Sequence, residues 1–259
     1  MERTAYEPGT PCWVDLAEPD LDATARFYSE LFGWQAVDQG PDMGGYRICT
    51  LRGAAVAGIM PQQQGAPPSW ITYICVTDTD VTAKAVTAAG GHVILEPIEV
   101  HNTGRMALCA DPAGAVFGLW QPRPFAGAEL VNEPGTVGWN ELTTREPAAV
   151  VPFYRAVFGW EADTQQSGPL CYTEWKSDGR PVAGMMPMDD RWPADAPAHW
   201  MTYFLVDDTD ATVAKAGELG GSVIVPASDI PPGRFAVLAD PQGAMFSVIK
   251  VAAELSDQP

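Results

Sequence analysis

Apolar and polar positions alternate over residues 12–17, which predicts a strand, and the period then changes to a helical one. Leu21, Ala25, Tyr28 and Phe32 recur at helical spacing, Asp20 or Asp22 stands ready to cap them, and Gly33 ends the run. Residues 46–51 and 54–60 predict a hairpin turning at Arg52-Gly53, and the Pro-rich stretch 62–69 predicts a loop. A strand over 71–76 leads into a helix that Asp78-Thr79-Asp80 caps and Gly90-Gly91 stops. Short apolar runs at 93–95, 105–110 and 115–120 predict three more strands, the last entered through Asp111-Pro112-Ala113-Gly114.

This pattern occurs twice. Phe27-Tyr28-Ser29-Glu30-Leu31-Phe32-Gly33-Trp34 recurs as Phe153-Tyr154-Arg155-Ala156-Val157-Phe158-Gly159-Trp160. In the same order, Ala57-Gly58-Ile59-Met60-Pro61 returns as Ala183-Gly184-Met185-Met186-Pro187, and Trp70-Ile71-Thr72-Tyr73 as Trp200-Met201-Thr202-Tyr203. Gly104-Arg105-Met106-Ala107 returns as Gly233-Arg234-Phe235-Ala236, and the Asp-Pro-x-Gly turn as Asp240-Pro241-Gln242-Gly243. Anchors repeated in one order mean a tandem duplication. The expected organisation is a first module over 1–121, a linker over 122–135 carrying Pro122, Pro124 and Pro134, and a second module over 136–259. Each module reads as two strand–helix–three-strand units, which places the chain in the α+β class.

Bulk properties narrow the partners. The 259 residues are 46% hydrophobic and 19% charged, enough apolar side chain for a sizeable core. A net charge of −18 argues against nucleic acid and against anionic membrane, and mildly favours a cationic ligand. Five cysteines without metal-like spacing read as small buried hydrophobes. No apolar stretch approaches membrane-spanning length and the N-terminus lacks a leader pattern, so a soluble, cytoplasmic protein is expected.

The aromatic first strand, the Phe-Tyr-x-x-x-Phe-Gly-Trp helix end, the apolar strand before the second capped helix and the closing Asp-Pro-x-Gly together resemble the vicinal oxygen chelate superfamily. Glyoxalase I, extradiol dioxygenases and bleomycin resistance proteins are among its members, and the resemblance spans nearly the whole chain, once per module. It implies paired βαβββ units whose curved sheets form two half-barrel modules, each around a cavity. For metal-dependent members it implies a His on the first strand, a His or Gln on the strand before the second helix and a Glu on the last strand. Carried onto this sequence, those positions fall at Trp13 and Trp139, near Ile71 and Met201, and at Gly118 and Ser247. None of these side chains is a strong ligand for a divalent ion, so neither metal nor cofactor is expected. A relocated set drawn from Asp15, Glu141 and His199 is the one alternative.

Alternation places Trp13, Asp15, Tyr73, Gly118 and Trp120 on the cavity face of the first module. It places Trp139, Glu141, His199, Met201, Tyr203 and Ser247 on that of the second, with Tyr46, Tyr172 and Trp175 as further lining. An aromatic wall with one carboxylate suits a flat aromatic ligand. Two functions follow from this: a metal-free binder of a small aromatic compound such as a natural product or drug, or a cofactor-independent or atypical-metal enzyme of lyase, isomerase or oxygenase/hydroxylase type. In the enzyme, Glu141 or Asp15 would act as general base on a phenol or enol. Two modules in one chain already supply the partner that single-module relatives gain by dimerising, so a monomer is expected, with a homodimer left open.

Overall fold

A computed structural model describes residues 1–63, 65–167, 170–190 and 192–252. The first sheet is built from β1 (Pro11–Glu18), β2 (Gln35–Asp38), β3 (Arg47–Leu51), β4 (Ala54–Pro61), β5 (Ser69–Cys75), β6 (His92–Val100), β7 (Gly104–Ala110) and β8 (Val116–Pro122). Its order is β2-β3-β4-β1-β5-β8-β7-β6, with α1 (Leu21–Phe32) and α2 (Thr79–Ala88) as the crossovers. The second sheet repeats it with β9 (Val137–Thr144), β10 (Glu161–Ser167), β11 (Leu170–Ser177), β12 (Arg180–Pro187), β13 (His199–Leu205), β14 (Ser222–Ile230), β15 (Gly233–Ala239) and β16 (Met245–Val251). Here the order is β10-β11-β12-β9-β13-β16-β15-β14, crossed by α3 (Pro147–Phe158) and α4 (Thr209–Glu218). Two eight-stranded sheets of the same topology are the duplicated α+β units. The edge strands β2 and β10 escape sequence reading because Gln-Ala-Val-Asp and Glu-Ala-Asp-Thr-Gln-Gln-Ser carry too few apolar residues to alternate.

Local chemistry sets the helix limits. The Asp20 carboxylate accepts from the backbone N–H of Asp22 and Ala23, and Asp78 and Asp208 cap α2 and α4 in the same way. Gly33 and Gly159 close α1 and α3 at φ of 78° and 72°, the left-handed region that a Cβ disfavours.

Each sheet buries its helix-bearing face against the other module. One core cluster joins Phe27, Tyr28 and Trp34 of the first module to Phe204, Phe246 and Val248 of the second, and its counterpart joins Val86 and Phe117 to Phe153, Tyr154 and Trp160. The repeated motifs meet here. Tyr28 donates to Asp240 Oδ2 and Tyr154 donates to Asp111 Oδ2, both at 3.0 Å. Thus the tyrosine of one module's Phe-Tyr pair bonds the Asp-Pro-x-Gly aspartate of the other. The remaining oxygen of each aspartate accepts backbone N–H groups of its own turn, from Ala113 and Ala115 and from Gln242, Gly243 and Ala244. Such charge-assisted bonds contribute about 1.5–3 kcal/mol each. Trp34 and Trp160 donate across the junction to the carbonyls of Gly135 and Gly9, both at 2.7 Å, so the Phe-Gly-Trp motif is scaffold. Arg105 and Arg234 are scaffold as well, each forked onto the carboxylate of Asp80 or Asp210.

The opposite faces are unequal. In the first module, Cys12, Trp13, Ile71, Tyr73, Cys75, Leu108 and Trp120 are buried under linker residues Phe125, Ala128 and Val131. In the second, the buried residues of the matching cluster are Met201, Tyr203, Val237 and Ile249, and Trp139, Leu205, Ile230 and Phe235 are only partly covered.

Candidate functional site

Strand register fixes which side chains share the open face of each sheet. In the first module Trp13 pairs with Tyr73 and Tyr73 with Gly118, while Asp15 pairs with Gly58 and Ile71. In the second, Trp139 pairs with Tyr203 and Tyr203 with Ser247, while Glu141 pairs with Gly184 and Met201. His199 lies opposite Thr143, one step further along the same face.

In both modules a buried carboxylate sits within a tyrosine–tryptophan network. Asp15 Oδ1 accepts from Trp13 Nε1 at 2.7 Å and from the Tyr46 hydroxyl at 2.5 Å, and Trp13 Nε1 lies 2.9 Å from the Tyr46 oxygen. Glu141 Oε1 accepts from the Tyr203 hydroxyl at 2.9 Å, and Trp139 Nε1 donates to the Tyr172 hydroxyl at 2.9 Å. Burial pushes the Asp15 carboxyl up to about 6 and the Glu141 carboxyl up to about 7; their hydrogen bonds oppose the shift without cancelling it. The same burial, with the neighbouring carboxylate, drives the phenols of Tyr73 and Tyr203 well above their ordinary range.

Two glycines make these networks fit. A Cβ on Gly58 would stand 2.0 Å from Asp15 Oδ1 and 2.1 Å from the Tyr46 oxygen; on Gly184 it would stand 2.0 Å from the Tyr172 oxygen. Gly118 plays a related part, since its Cβ would fall 2.1 Å from the Tyr73 ring. Gly58 and Gly184 were readable from the repeat, because a glycine kept in both copies of a strand marks a close approach.

The two sites differ in what covers them. Phe125 meets Trp13 edge-on with ring centroids 4.9 Å apart, and Trp120 Nε1 donates to the Phe125 carbonyl at 3.0 Å, so the linker plugs the first module. The contrast lies in the tryptophans: Trp139 in the second module is half-buried where Trp13 is 5% exposed, while Tyr172, His199 and Met245 are covered about as much as Tyr46, Ser69 and Val116. Ser247 Oγ and His199 Nε2 are buried without a hydrogen-bond partner on this face. Their first-module counterparts are Gly118 and Ser69. Burial holds the His199 imidazole below its usual range, hence neutral at pH 7.

Sequence reasoning misplaces two positions. Trp175 does not line the site: it stands an odd number of residues from Tyr172, so it points to the helix-bearing face, where it packs on Tyr154 and Trp160. The middle metal position, expected near Ile71 and Met201, is taken in the cross-strand row by Tyr73 and Tyr203. Phe125 was not foreseen, because nothing in a Pro-rich linker signals what it covers.

The superfamily's metal can be tested against these donors. The rows Trp13-Tyr73-Gly118 and Trp139-Tyr203-Ser247 offer protonated phenols, indoles, one hydroxyl and no imidazole or carboxylate. Asp15 and Glu141 belong to different sheets, so they do not form a set with His199. No group of three or more His, Cys, Asp or Glu side chains that could hold a metal occurs among the described residues. The residues present do not fit a divalent ion.

Residues 13–120 and 140–249 both match the model of the glyoxalase-like domain, so the chain belongs to that family, within the vicinal oxygen chelate superfamily. It is 45% identical over 264 residues to the putative glyoxylase CFP32 of Mycobacterium tuberculosis (strain CDC 1551 / Oshkosh), covering 98% of this chain and 99% of that one. It is 41% identical over 265 residues to the anthracycline biosynthesis protein DnrV of Streptomyces peucetius, covering 96% and 95%. The fold matches the Mn(II)-bound glyoxalase from Novosphingobium aromaticivorans with a TM-score of 0.67 at 17% identity, over 94% of this chain and 82% of that one. It also matches the 2,3-dioxygenase LapB from Pseudomonas sp. KL28, with a TM-score of 0.64 at 13% identity over 95% and 93%. No helix among the described residues is long and apolar enough to cross a membrane.

Proposed function

We propose that the second module holds a small aromatic molecule carrying a phenol or enol on its open face, without a metal ion, and that the first module is its filled support. One observation carries this reading: Ser247 Oγ and His199 Nε2 are buried and unpartnered on the face that presents Glu141. A buried polar atom left unpaired costs about 1–3 kcal/mol, which a ligand's polar groups would recover. Trp139, Tyr172 and Phe235 supply half-covered aromatic surface beside these atoms, and the Glu141 carboxylate is positioned to accept from an acidic hydroxyl. The family relative DnrV, an anthracycline biosynthesis protein, points to hydroxylated polycyclic aromatics as the ligand class.

A second reading is favoured by the Glu141 carboxyl, which burial pushes up to about 7. A base poised near neutral pH suits proton abstraction from a bound enol or phenol. In that reading Glu141 takes the proton, and Ser247 and neutral His199 hold the oxygen that becomes negative. The test is a titration with a dihydroxyanthraquinone followed by tryptophan fluorescence, with metal content measured on the same preparation. Saturable binding at metal content far below one per chain is the expected outcome. A stoichiometric transition metal needed for binding would refute it. Conversion of the bound compound, lost in Glu141→Gln, would decide for the second reading.

A further inference from the structure

At the junction of the two modules the structure contains a cavity of about 340 Å3, walled by the N-terminal segment, the start of β9 and the β11–β12 hairpin. Comparing the copies gives it meaning. In the first module β1 and β4 pair only from Asp15 and Gly58 onward, and the wedge before that point is filled by the linker. There Ala128 N–H donates to the Cys12 carbonyl at 2.8 Å and Glu129 N–H to the Ala55 carbonyl at 2.7 Å. The Glu129 carboxylate then accepts from Ala55 N–H at 2.8 Å. A carboxylate therefore closes the first wedge.

In the second module β9 and β12 pair only from Glu141 and Gly184 onward, which leaves the equivalent wedge. Its repeat-equivalent residues are Gly138 and Pro181, and both line the cavity. Pro181 has no N–H to give a carboxylate. Two guanidinium groups stand in its place: Arg3 and Arg180 line the same cavity, and no ion pair or side-chain hydrogen bond engages either among the described residues. Arg47, Arg52, Arg105, Arg123 and Arg234 hold acidic partners and Arg145 holds backbone carbonyls; Arg26 and Arg155 are unpaired as well among the described residues, but Arg3 and Arg180 are the pair that share this cavity. Tyr6 and Trp139 supply aromatic wall, and the volume sits at the low end of the roughly 300–1,000 Å3 of small-molecule sites. Asn140, 6% exposed, also borders it, its Oδ1 already engaged by the Thr72 hydroxyl at 2.9 Å.

We propose that this cavity is a second ligand site, taking a single-ring aromatic carboxylate whose anion is held by Arg3 and Arg180 and whose ring lies against Tyr6 and Trp139. Planar guanidinium matches carboxylate geometry, and an aromatic ring over Tyr or Trp fits their faces. Glu7 and Asp178 line the cavity too, without pairing with these arginines, so the sign of the preferred ligand is a direct test of the proposal.

The experiment is calorimetric titration of the full chain with 4-hydroxybenzoate and, in parallel, with benzamidine, a cation of the same size. The expected result is saturable binding of 4-hydroxybenzoate, at least tenfold weaker in the Arg3→Ala/Arg180→Ala variant and weaker at high salt, with benzamidine inert. Unpaired exposed arginines can be removed without unfolding, and circular dichroism of the variant checks this. Equal binding by the variant, or preference for benzamidine, overturns the proposal. Glu141→Gln separates this site from the one in the second module's sheet: it leaves 4-hydroxybenzoate binding intact whether or not that module binds polycyclic aromatics.

Discussion

The Tyr203 hydroxyl donates to Glu141 at 2.9 Å, whereas in the first module Asp15 takes its short bonds from Tyr46 and Trp13, at 2.5 and 2.7 Å, with Tyr73 standing beside it. One strand away the copies differ: Tyr73 packs over Gly118, where a Cβ would stand 2.1 Å from its ring, and Tyr203 pairs with Ser247. Because the bond favours the charged form, Tyr203→Phe is expected to raise the Glu141 carboxyl above its value of about 7. Difference infrared spectroscopy of the carboxyl band against pH, with Glu141→Gln to assign it, reads this directly; a downward shift would contradict the account.

Gly184→Ala tests the close approach. Its Cβ would stand 2.0 Å from the Tyr172 oxygen and 2.8 Å from Trp139 Nε1, so the pair must move apart. The expected outcome is a loss of ligand affinity of tenfold or more with the fold retained. An unchanged titration would remove Trp139 and Tyr172 from the site.

Phe125→Ala tests the plug. Truncating a fully buried Phe costs roughly 3–5 kcal/mol, and Phe125 is only half-buried, so a loss of about 2 kcal/mol in denaturant unfolding is expected. Trp13 and Trp120 lose the ring they pack on, and iodide quenching of tryptophan fluorescence should rise.

Glu18 makes stability fall with pH. It is 0% exposed, accepts from the Thr24 hydroxyl at 2.5 Å and from Gln242 Nε2, and leaves Oε1 without a partner. Burial first, and then Asp240 beside it, push its carboxyl up to about 8 from an ordinary 4.5. An acid whose folded value is raised adds stability below its unfolded value and loses it as pH rises toward the folded one. The window is therefore pH 4.5 to 8. Glu18→Gln mimics the protonated form and should flatten thermal stability across that window, by on the order of 1–3 kcal/mol at pH 8. A variant less stable than the parent at pH 8 would show that the carboxylate itself is needed.

The fold was legible because its signals are local and doubled. Phe-Tyr, Gly33 and Asp-Pro-x-Gly each announce an element, and the repeat removes the ambiguity of any single match. What they do together was not legible: the bonds of Tyr28 to Asp240 and of Tyr154 to Asp111 join residues 212 and 43 positions apart, which no period reveals. Alternation sufficed to put Trp13 with Asp15, and Trp139 with Glu141, on one face of their strands. Trp175 stands three residues on from Tyr172, an odd step that puts it on the other face of the strand. The asymmetry of the two sites rests on Phe125, a linker residue with no pattern of its own.

The proposed ligand site is one face of one module. Calorimetric titration with a dihydroxyanthraquinone measures stoichiometry and affinity together. One molecule per chain is expected, bound at least tenfold more weakly in Ser247→Ala and Glu141→Gln and unchanged in Asp15→Asn. Two molecules per chain, or binding lost in Asp15→Asn and kept in Glu141→Gln, would contradict it.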